Sequence, residues 1–503
     1  MSPTQDAANL LKKQAAAIAN THILILPEEN PEAQTYLPRN PNRLLQLYII
    51  TDIIAIAAGF FYAWALATVV NDLIFGRIVM GQMASYGSIK LLQSAALAAG
   101  VITWFQHTGH YRLRMSFWLE VKKIAAAMGF TMMADGFLQF AGKQDFSRLW
   151  LMSSWVIAGI CIIALRSIVR SYFIKRGLFQ IHTLLIGSGE TAAHTRSALA
   201  SEPGFGYEIA AQINNLPEAF LQAGASWKKL CAIHHANHII IALDGHDLAN
   251  ADRPLAQLAR ENISFSVSPP LRHMPVFGMA AQYFFSHDTM LLTRTSGLEL
   301  PLHCFMKRAF DIVLSGTVLL ALSPIMLVTA ILVKLDGGPA FFGHNRIGRN
   351  GTSFPCLKFR SMAVNGDQIL KKHIAENPED LKEWQETRKL RNDPRVTKLG
   401  GFLRRSSLDE LPQLINVLRG DMSLVGPRPI VTAEVANYDG DIAHYYRVRP
   451  GITGLWQVSG RSDVSYRQRV QMDSWYVRNW SLWHDIAIIC KTVPALLNRS
   501  GAY

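Results

Sequence analysis

The stretch Ile312–Val333, "IVLSGTVLLALSPIMLVTAILV", decides how this chain is disposed in space. A helix of that length can cross the hydrocarbon core of a bilayer, which takes roughly 20 apolar residues. Crossing would put everything after it on the opposite side from everything just before it. The remaining third of the chain is rich in arginine, and positive charge is retained on the cytoplasmic face. Ser323-Pro324 lies in the middle of the segment. Proline removes a backbone donor, and a neighbouring serine hydroxyl can satisfy the carbonyl set free. Two readings follow: an ordinary kinked span, or a re-entrant helix over 310–335 that breaks at Ser323-Pro324 and returns. The charge argument favours the second.

Working outward, 503 residues are too many for one hydrophobic core, so several domains are expected. Half of the residues are hydrophobic and the formal net charge is +13. Such an excess suits phosphates, acidic headgroups or nucleic acid, and the apolar segments make nucleic acid the least fitting partner. The 5 cysteines, Cys161, Cys231, Cys304, Cys356 and Cys490, are far apart and form no CxxC pair. Neither a metal framework nor a disulfide-rich secreted domain is indicated. Residues 1–43 are polar, lack the basic-then-apolar pattern of a signal peptide, and are expected to form a tail.

Apolar runs near 44–70, 88–105, 124–141 and 149–165 predict a four-helix transmembrane unit over 44–172. Arg112, Arg114, Lys122 and Lys123 lie between the second and third runs, and Arg166, Arg170, Lys175 and Arg176 follow the fourth. The other two loops carry only Arg77 with Lys90, and Lys143 with Arg148, so the bias places both ends of the unit in the cytoplasm. Asp52 and Asp135 inside the runs mark either function or helix-to-helix contacts.

Residues 178–295 read as an α/β Rossmann-like domain. In "HTLLIGSGETAAHTRSALA", Gly187, Gly189 and Ala192 fit a G-x-G-x-x-A turn, where a pyrophosphate can approach a helix N-terminus. The runs "YEIAAQINN", "HIIIAL" and "ISFSVSPP" continue the strand pattern. The second strand ends in Asn214 and Asn215, where a dinucleotide binder presents an acid to the ribose, so a bare scaffold is favoured. His234, His235 and His238 have no acid or cysteine close in sequence to complete a metal site.

The chemistry concentrates in "LRRSSLDELPQL", Leu403–Leu414. Pro412 is comfortable only in a first helical turn, so a helix start is expected at or just after Asp409. Leu411, Leu414, Ile415 and Leu418 would form its apolar stripe and Gly420 its end. Asp409 then reads as an N-cap with Glu410 in the first turn, or Ser407 and Glu410 as a capping box. Against that plain reading stand Arg391, Arg395, Lys398, Arg404, Arg405, Arg419 and Arg428, and the turn "SLVGPRP". A helix start ringed by arginines suits phosphate, and two acids there can hold a divalent cation or attack phosphorus. Lys358 and Arg360 in "CLKFRSM" and Arg461 in "PGITGLWQVSGR" add anion-binding capacity.

The motifs "FFGHNRIGRNGTSFPCLKFRSM", "NDPRVTKLGGFLRRSSLDELPQLINVLRGDMSLVGPRP" and "VRPGITGLWQVSGR" closely resemble the bacterial sugar transferase family, the monotopic phosphoglycosyl transferases. The likeness runs from about Pro301 to the C-terminus, and the domain order is similar to that of the large subgroup. It implies an α/β monotopic catalytic domain over 301–503, on the cytoplasmic face of a bacterial inner membrane, with the helix broken at Ser323-Pro324. The reaction it implies moves a sugar-1-phosphate, glucose-1-phosphate by likeness, from a UDP-sugar to undecaprenyl phosphate, starting exopolysaccharide or O-antigen synthesis. Asp409 corresponds to the nucleophile, which expels UMP and carries an aspartyl phospho-sugar, and Glu410 to the Mg²⁺ ligand. Lys358, Arg404 and Arg428 match basic positions that hold phosphates, and Asp473 in "VQMDSWYV" matches a family acid. Trp475, Trp480 and Trp483 suit a membrane interface or core packing equally. A homodimer and contact with inner-membrane lipids complete the expectation. The competing classes are a non-catalytic membrane scaffold and a membrane-tethered nucleotide-sugar oxidoreductase or dehydratase. The latter lacks a ribose acid and a Tyr-x-x-x-Lys pair.

Overall fold

The computed structural model describes residues 23–24 and most of 41–497. Outside the described residues lie the remainder of 1–40, 498–503 and the short stretches 76–79, 112–113, 144–146, 215–225, 246, 248–250, 262, 272–273, 275–278, 284–289, 295–296, 299, 378, 382–383, 385–389, 391–392 and 460–463. The chain divides into two compact units, Met1–Pro270 and Leu271–Tyr503.

In the first unit, long helices span Pro41–Phe75, Met80–His107, Phe117–Ala141 and Arg148–Lys175. Among the described residues, Gln46–Leu73, Phe117–Ala141 and Arg148–Lys175 are long and apolar enough to cross a membrane. Phe105, Ile124, Trp155 and Ile162 fill the shared core.

Polar groups within it are paired from helix to helix. Lys90 Nζ stands 2.6 Å from Asp135 Oδ1, and Trp155 Nε1 donates to Asp135 Oδ2 at 2.9 Å. Arg166 donates through Nε to Asp52 at 2.8 Å and through Nη1 to Glu120 at 2.7 Å, and Arg170 joins Glu120. Asp52 and Asp135 therefore hold helices together. Removing one partner of such a buried pair typically costs about 3–5 kcal/mol. Arg166, counted from sequence as a charge at the exit of the last span, is instead 1% exposed inside the bundle.

The same unit contains a sheet in the order Ile23–Leu24, Tyr207–Ile213, Ile181–Ile186, His238–Ile241, Phe265–Val267, parallel except for the first strand. Ile181–Ile186 and His238–Ile241 read as continuous apolar runs because a parallel sheet is covered on both faces. Gly187, at φ 133°, begins the turn into the helix Glu190–Ser201. That helix start already holds an anion from the chain itself: Asp244 accepts from the Thr191 amide at 3.2 Å and from the Thr191 hydroxyl. A Cβ on Gly189 would lie 1.7 Å from Asp244 Oδ2, so the glycine is needed to admit this carboxylate. His238, one of the sequence-flagged histidines, has both ring nitrogens beside hydroxyls, Ser264 at 2.8 Å and Ser266 at 3.0 Å.

The second unit is organised around the helix Pro301–Lys334, the fourth segment able by length and composition to cross a membrane. The break expected at Ser323-Pro324 is corrected: one α-helix runs on through Pro324. Proline offers no donor to the Leu320 carbonyl, and the Ser323 hydroxyl donates to it instead at 2.7 Å. Lys307, Asp311, Ser315, Met326, Thr329 and Val333 form one buried stripe along the helix. Its first half is tied by polar contacts. Lys307 reaches the Val425 carbonyl at 2.9 Å and Asp485 at 2.8 Å, while Asp311 accepts from Ser423 at 2.8 Å and the Leu424 amide at 3.2 Å. Its second half packs Met326 and Val333 on Phe359, Leu403, Leu408 and Leu411. Val313, Leu320, Leu327 and Ile331 are exposed.

Against this helix stand the antiparallel hairpin Phe341–Ile347/Ser353–Phe359 and the short parallel pair Ser423–Val425/Gly451–Thr453. Gly426 and Gly451 let that pair close up, since a Cβ on Gly451 would lie 2.1 Å from the Gly426 nitrogen. Val425, Tyr476, Val477, Trp480 and Ile488 form the adjoining core. Trp480 is buried there with Nε1 donating to Asp485 at 3.2 Å, which is the packing role rather than the interfacial one.

Candidate active site

The helix Lys398–Ser406 ends at Ser407, whose left-handed φ of 56° turns the chain sharply. A 3₁₀ turn, Leu408–Glu410, follows, and the next α-helix runs only from Gln413 to Arg419 with Pro412 as its cap. The helix expected at or just after Asp409 begins at Gln413, after a separate turn, and the Ser407–Glu410 capping box is not formed. Ser407 has no side-chain cap bond, and Glu410 and Leu411 make i→i+3 bonds to Ser407 and Leu408. Pro412 has no N–H with which to continue the ladder, so the acids sit on a separate tight turn. The buried face is also different: Leu414 and Val417 are inside together with Asn416, whereas Ile415 and Leu418 are half-buried.

Leu408 and Leu411 anchor this turn on the membrane helix, leaving Asp409 buried between them. Lys358, near the end of the strand Ser353–Phe359, stands over both acids. Its Nζ is 2.6 Å from Glu410 Oε1 and 3.9 Å from Asp409 Oδ2. Asn416 fixes that strand against the helix after the acids. It accepts from the Leu357 amide at 2.9 Å and donates to the Pro355 carbonyl at 2.9 Å. Burial pushes the Asp409 carboxyl above its ordinary range, with Lys358 and then Arg404 pulling against burial.

Hairpin register puts further groups on the face that carries Lys358. Phe342 pairs with Lys358, His344 with Cys356 and Arg346 with Phe354, and directly opposed residues share a face. The Cys356 thiol is pushed up by burial and feels Lys358, Arg346, Glu410 and Arg428, which locates these charges around one point. Arg428, on the "SLVGPRP" turn, is exposed and lies 5.9 Å from the Trp456 ring. Burial and the nearby Arg428 hold the Arg346 guanidinium below its usual range. Arg404 is exposed, with Nε donating to Ser361 at 2.9 Å. Two acids, with Lys358, Arg404, Arg346 and Arg428 around them, can receive an extended diphosphate.

The remaining sequence-selected residues are placed differently. Arg360 donates to the Val333 carbonyl at 2.7 Å and so holds the end of the membrane helix, leaving Nη1 without a hydrogen-bond partner among the described residues. Asp473 is 3% exposed and accepts from Tyr438 at 3.0 Å and from the Arg428 backbone, fixing the strand-to-turn path that carries Arg428. Burial raises its carboxyl to about 8. Arg461 lies outside the described residues. Sequence reasoning missed Arg346 and Asn416. Period-2 alternation in "FFGHNRI" signals the first, but no pattern announces a buried asparagine that stitches a helix to a strand.

No cluster of three or more metal-ligating side chains occurs among the described residues. The Lys358 ammonium between the two carboxylates nevertheless shows that the niche accepts a cation. Glu410 is partly open to solvent and faces the same niche.

With this geometry in hand, comparison with known proteins is decisive. The bacterial sugar transferase model matches residues 302–499. A UDP-galactose-lipid carrier transferase of Erwinia amylovora is 38% identical over 451 residues, covering 88% of this chain and 94% of its own length. The chain belongs to the bacterial sugar transferase family. An undecaprenyl-phosphate galactose phosphotransferase of Salmonella typhimurium is 40% identical over 427 residues, 82% of this chain and 89% of that one. An uncharacterized sugar transferase of Haemophilus influenzae is 41% identical over 421 residues, 81% and 89% respectively. A CoA-binding domain model matches 106–269, which includes the α/β sheet region. This sugar transferase is accordingly a membrane enzyme, with apolar helices, an α/β region and a region matching the sugar transferase model that contains Asp409 and Glu410.

Proposed function

We propose that this sugar transferase moves a hexose-1-phosphate from a UDP-sugar to undecaprenyl phosphate, releasing UMP, through a covalent intermediate on Asp409. The observation that carries the reading is the buried Asp409 carboxylate on its own tight turn, beside Lys358 and on the membrane helix. An Asp409 carboxylate oxygen attacks the phosphorus that bears the sugar. The bond from that phosphorus to the bridging oxygen breaks, and UMP departs with the oxygen. An oxygen of the lipid phosphate then attacks the same phosphorus, and the acyl–phosphate bond breaks to return the carboxylate. Lys358, Arg404 and Arg428 balance charge on the phosphate oxygens during both steps. Mg²⁺ bound through Glu410 would supply further neutralisation of the diphosphate, consistent with a site of one or two carboxylates plus substrate. Two displacements at one carboxylate give ping-pong kinetics.

The buried stripe of Pro301–Lys334 supports a one-sided, re-entrant seating. Both halves of the helix pack on the same charged unit, which cannot be divided by a bilayer. That seating puts the site at the cytoplasmic face of the inner membrane, where the lipid phosphate lies. The sequence resemblance pointed to glucose, whereas two chain-length relatives are named for galactose, so UDP-galactose and UDP-glucose are the first substrates to compare. The α/β region, whose glycine turn is filled by Asp244, is read as a Rossmann-like scaffold without a bound nucleotide.

The test is UMP release by purified protein with Mg²⁺, undecaprenyl phosphate and a UDP-sugar panel. Asp409→Asn, nearly isosteric, should abolish release while the melting temperature holds. Wild-type turnover in that variant would return Asp409 to a purely structural role.

A further inference from the structure

Three rungs of the hairpin Phe341–Ile347/Ser353–Phe359 share the face that carries Lys358. Phe342 stands opposite Lys358, His344 opposite Cys356, and Arg346 opposite Phe354. Phe342, His344 and Arg346 therefore form a row, each about 7 Å from the next by strand rise. Both ends of the face are tied to the site. Lys358 lies 2.6 Å from Glu410 and 3.9 Å from Asp409. Arg346 donates to the Pro429 carbonyl at 3.2 Å, lies 3.8 Å from Glu434, and feels the adjoining Arg428. His344 takes the middle rung, between the acids and the two arginines.

The residue across that rung marks the same point. Cys356 is buried in a core with Phe354, Val417 and Met422, and its thiol feels Lys358, Arg346, Glu410 and Arg428 together. His344, by contrast, is exposed, with the Phe342 ring 6.4 Å away on one side. Partial burial, then Arg346 and Lys358, hold the imidazole below the ordinary histidine range, against a backbone hydrogen bond at Asn345. The nearby acids Glu410 and Glu434 each face a cation of their own, Lys358 and Arg346. At neutral pH the ring is thus uncharged and has one N–H to donate.

A double displacement at one phosphorus has a use for such a donor. The entering and departing oxygens of an in-line transfer lie on opposite sides of the phosphorus. With Asp409 as nucleophile, the UMP oxygen leaves on the side away from that carboxylate, and the lipid phosphate oxygen later enters from the same side. The row of residues leads from Lys358 and the acids through His344 to Arg346 and Arg428, which suit the outer phosphate. Charge grows on the bridging oxygen as its bond to phosphorus breaks, so a donor there counts most in the transition state. A neutral imidazole supplies that donor without adding another fixed positive charge to retain the UMP product.

We propose that His344 is a substrate-contacting residue of the transfer, donating a hydrogen bond to the diphosphate oxygen that departs in UMP and then to the lipid phosphate oxygen that enters. The inference rests on the double displacement at Asp409 described above. The imidazole keeps its proton throughout. In the first step the electron pair of the broken bond stays on the UMP oxygen, and in the second the entering oxygen brings its own pair.

The full-length protein is assayed for UMP release with Mg²⁺, undecaprenyl phosphate and a UDP-sugar, and for the first step alone by exchange of labelled UMP into the UDP-sugar without lipid. His344→Ala should lower kcat about a hundredfold, the low end for one lost transition-state donor, with KM for the UDP-sugar little changed. Exchange should fall by a similar factor. His344→Gln, whose amide keeps an N–H, should recover most of the rate, whereas His344→Phe, which keeps a ring without a donor, should not. Because His344 is exposed, all three variants should melt with the wild type. Wild-type kcat in His344→Ala would overturn the inference, and so would equal losses in the Gln and Phe variants or a rise in KM alone. Absence of labelled-UMP exchange in the wild type would instead defeat the double displacement itself, and the role of His344 with it.

Discussion

Replacing Lys358 by methionine removes the ammonium 3.9 Å from Asp409 and 2.6 Å from Glu410 while keeping much of the aliphatic stem. The Asp409 carboxyl lies above its ordinary range because of burial, and Lys358 is the largest influence holding it down. A unit charge at 3.9 Å contributes about 4 kcal/mol at an effective dielectric near 20 and about 1 kcal/mol in bulk water. The Lys358 side chain is 35% exposed, so screening reduces the interaction to roughly 1–2 kcal/mol. The sign is fixed: without the cation the charged form is less favoured, and Asp409 keeps its proton to higher pH. A nucleophile must be ionised, so the acid limb of kcat/KM for UMP release should move to higher pH in Lys358→Met. Arg404→Gln, removing a weaker influence, should move it less. If activity falls equally at every pH and the acid limb stays put, Lys358 acts on substrate phosphate alone and the electrostatic account of Asp409 is wrong.

Four further outcomes are expected. Asn416→Ala should lower stability by about 2–3 kcal/mol in denaturant titrations, because it strands the Leu357 amide and the Pro355 carbonyl, and UMP release should fall with it as the Lys358 strand loosens. Asp473, raised to about 8, favours the folded state most below the carboxyl's unfolded value, and that contribution is lost as pH rises toward 8. Asp473→Asn should therefore melt higher than wild type at pH 8, by roughly several degrees, with the advantage shrinking toward pH 5. Asp244→Ala should cost about 1 kcal/mol by uncapping Glu190–Ser201. Neither NADH nor coenzyme A should shift the melting temperature of wild type, and a clear shift would show that Asp244 yields to a ligand.

Sequence patterning anticipated the apolar helices and the parallel sheet because both repeat one physical requirement over many residues. It also selected Asp409, Glu410 and Lys358, which meet in space. What stayed hidden depends on single conformations and distant partners. The left-handed Ser407 turns a presumed helix start into a separate 3₁₀ turn, and nothing in "RRSSLDELP" forces a serine to positive φ. Arg360 lies two residues after Lys358 in the same basic motif, yet it caps the Val333 carbonyl, 27 residues earlier. Lys90 and Asp135 look like isolated charges until the bundle brings them within 2.6 Å. The carboxylate that fills the glycine turn comes from Asp244, 53 residues beyond its partner Thr191.

The packing of Leu408 and Leu411 on Met326 and Val333 has a consequence for where catalysis can happen. The turn carrying the acids is held by Lys358 on one side, and its floor is the membrane helix together with Phe359 and Leu403. The altitude of the carboxylate above the acyl chains is thus set by that packing, as the depth of a keel sets a hull's waterline. A lipid phosphate that rides higher or lower in the bilayer would miss the nucleophile. Membrane thickness and headgroup plane then enter the rate as geometric variables, alongside substrate concentration.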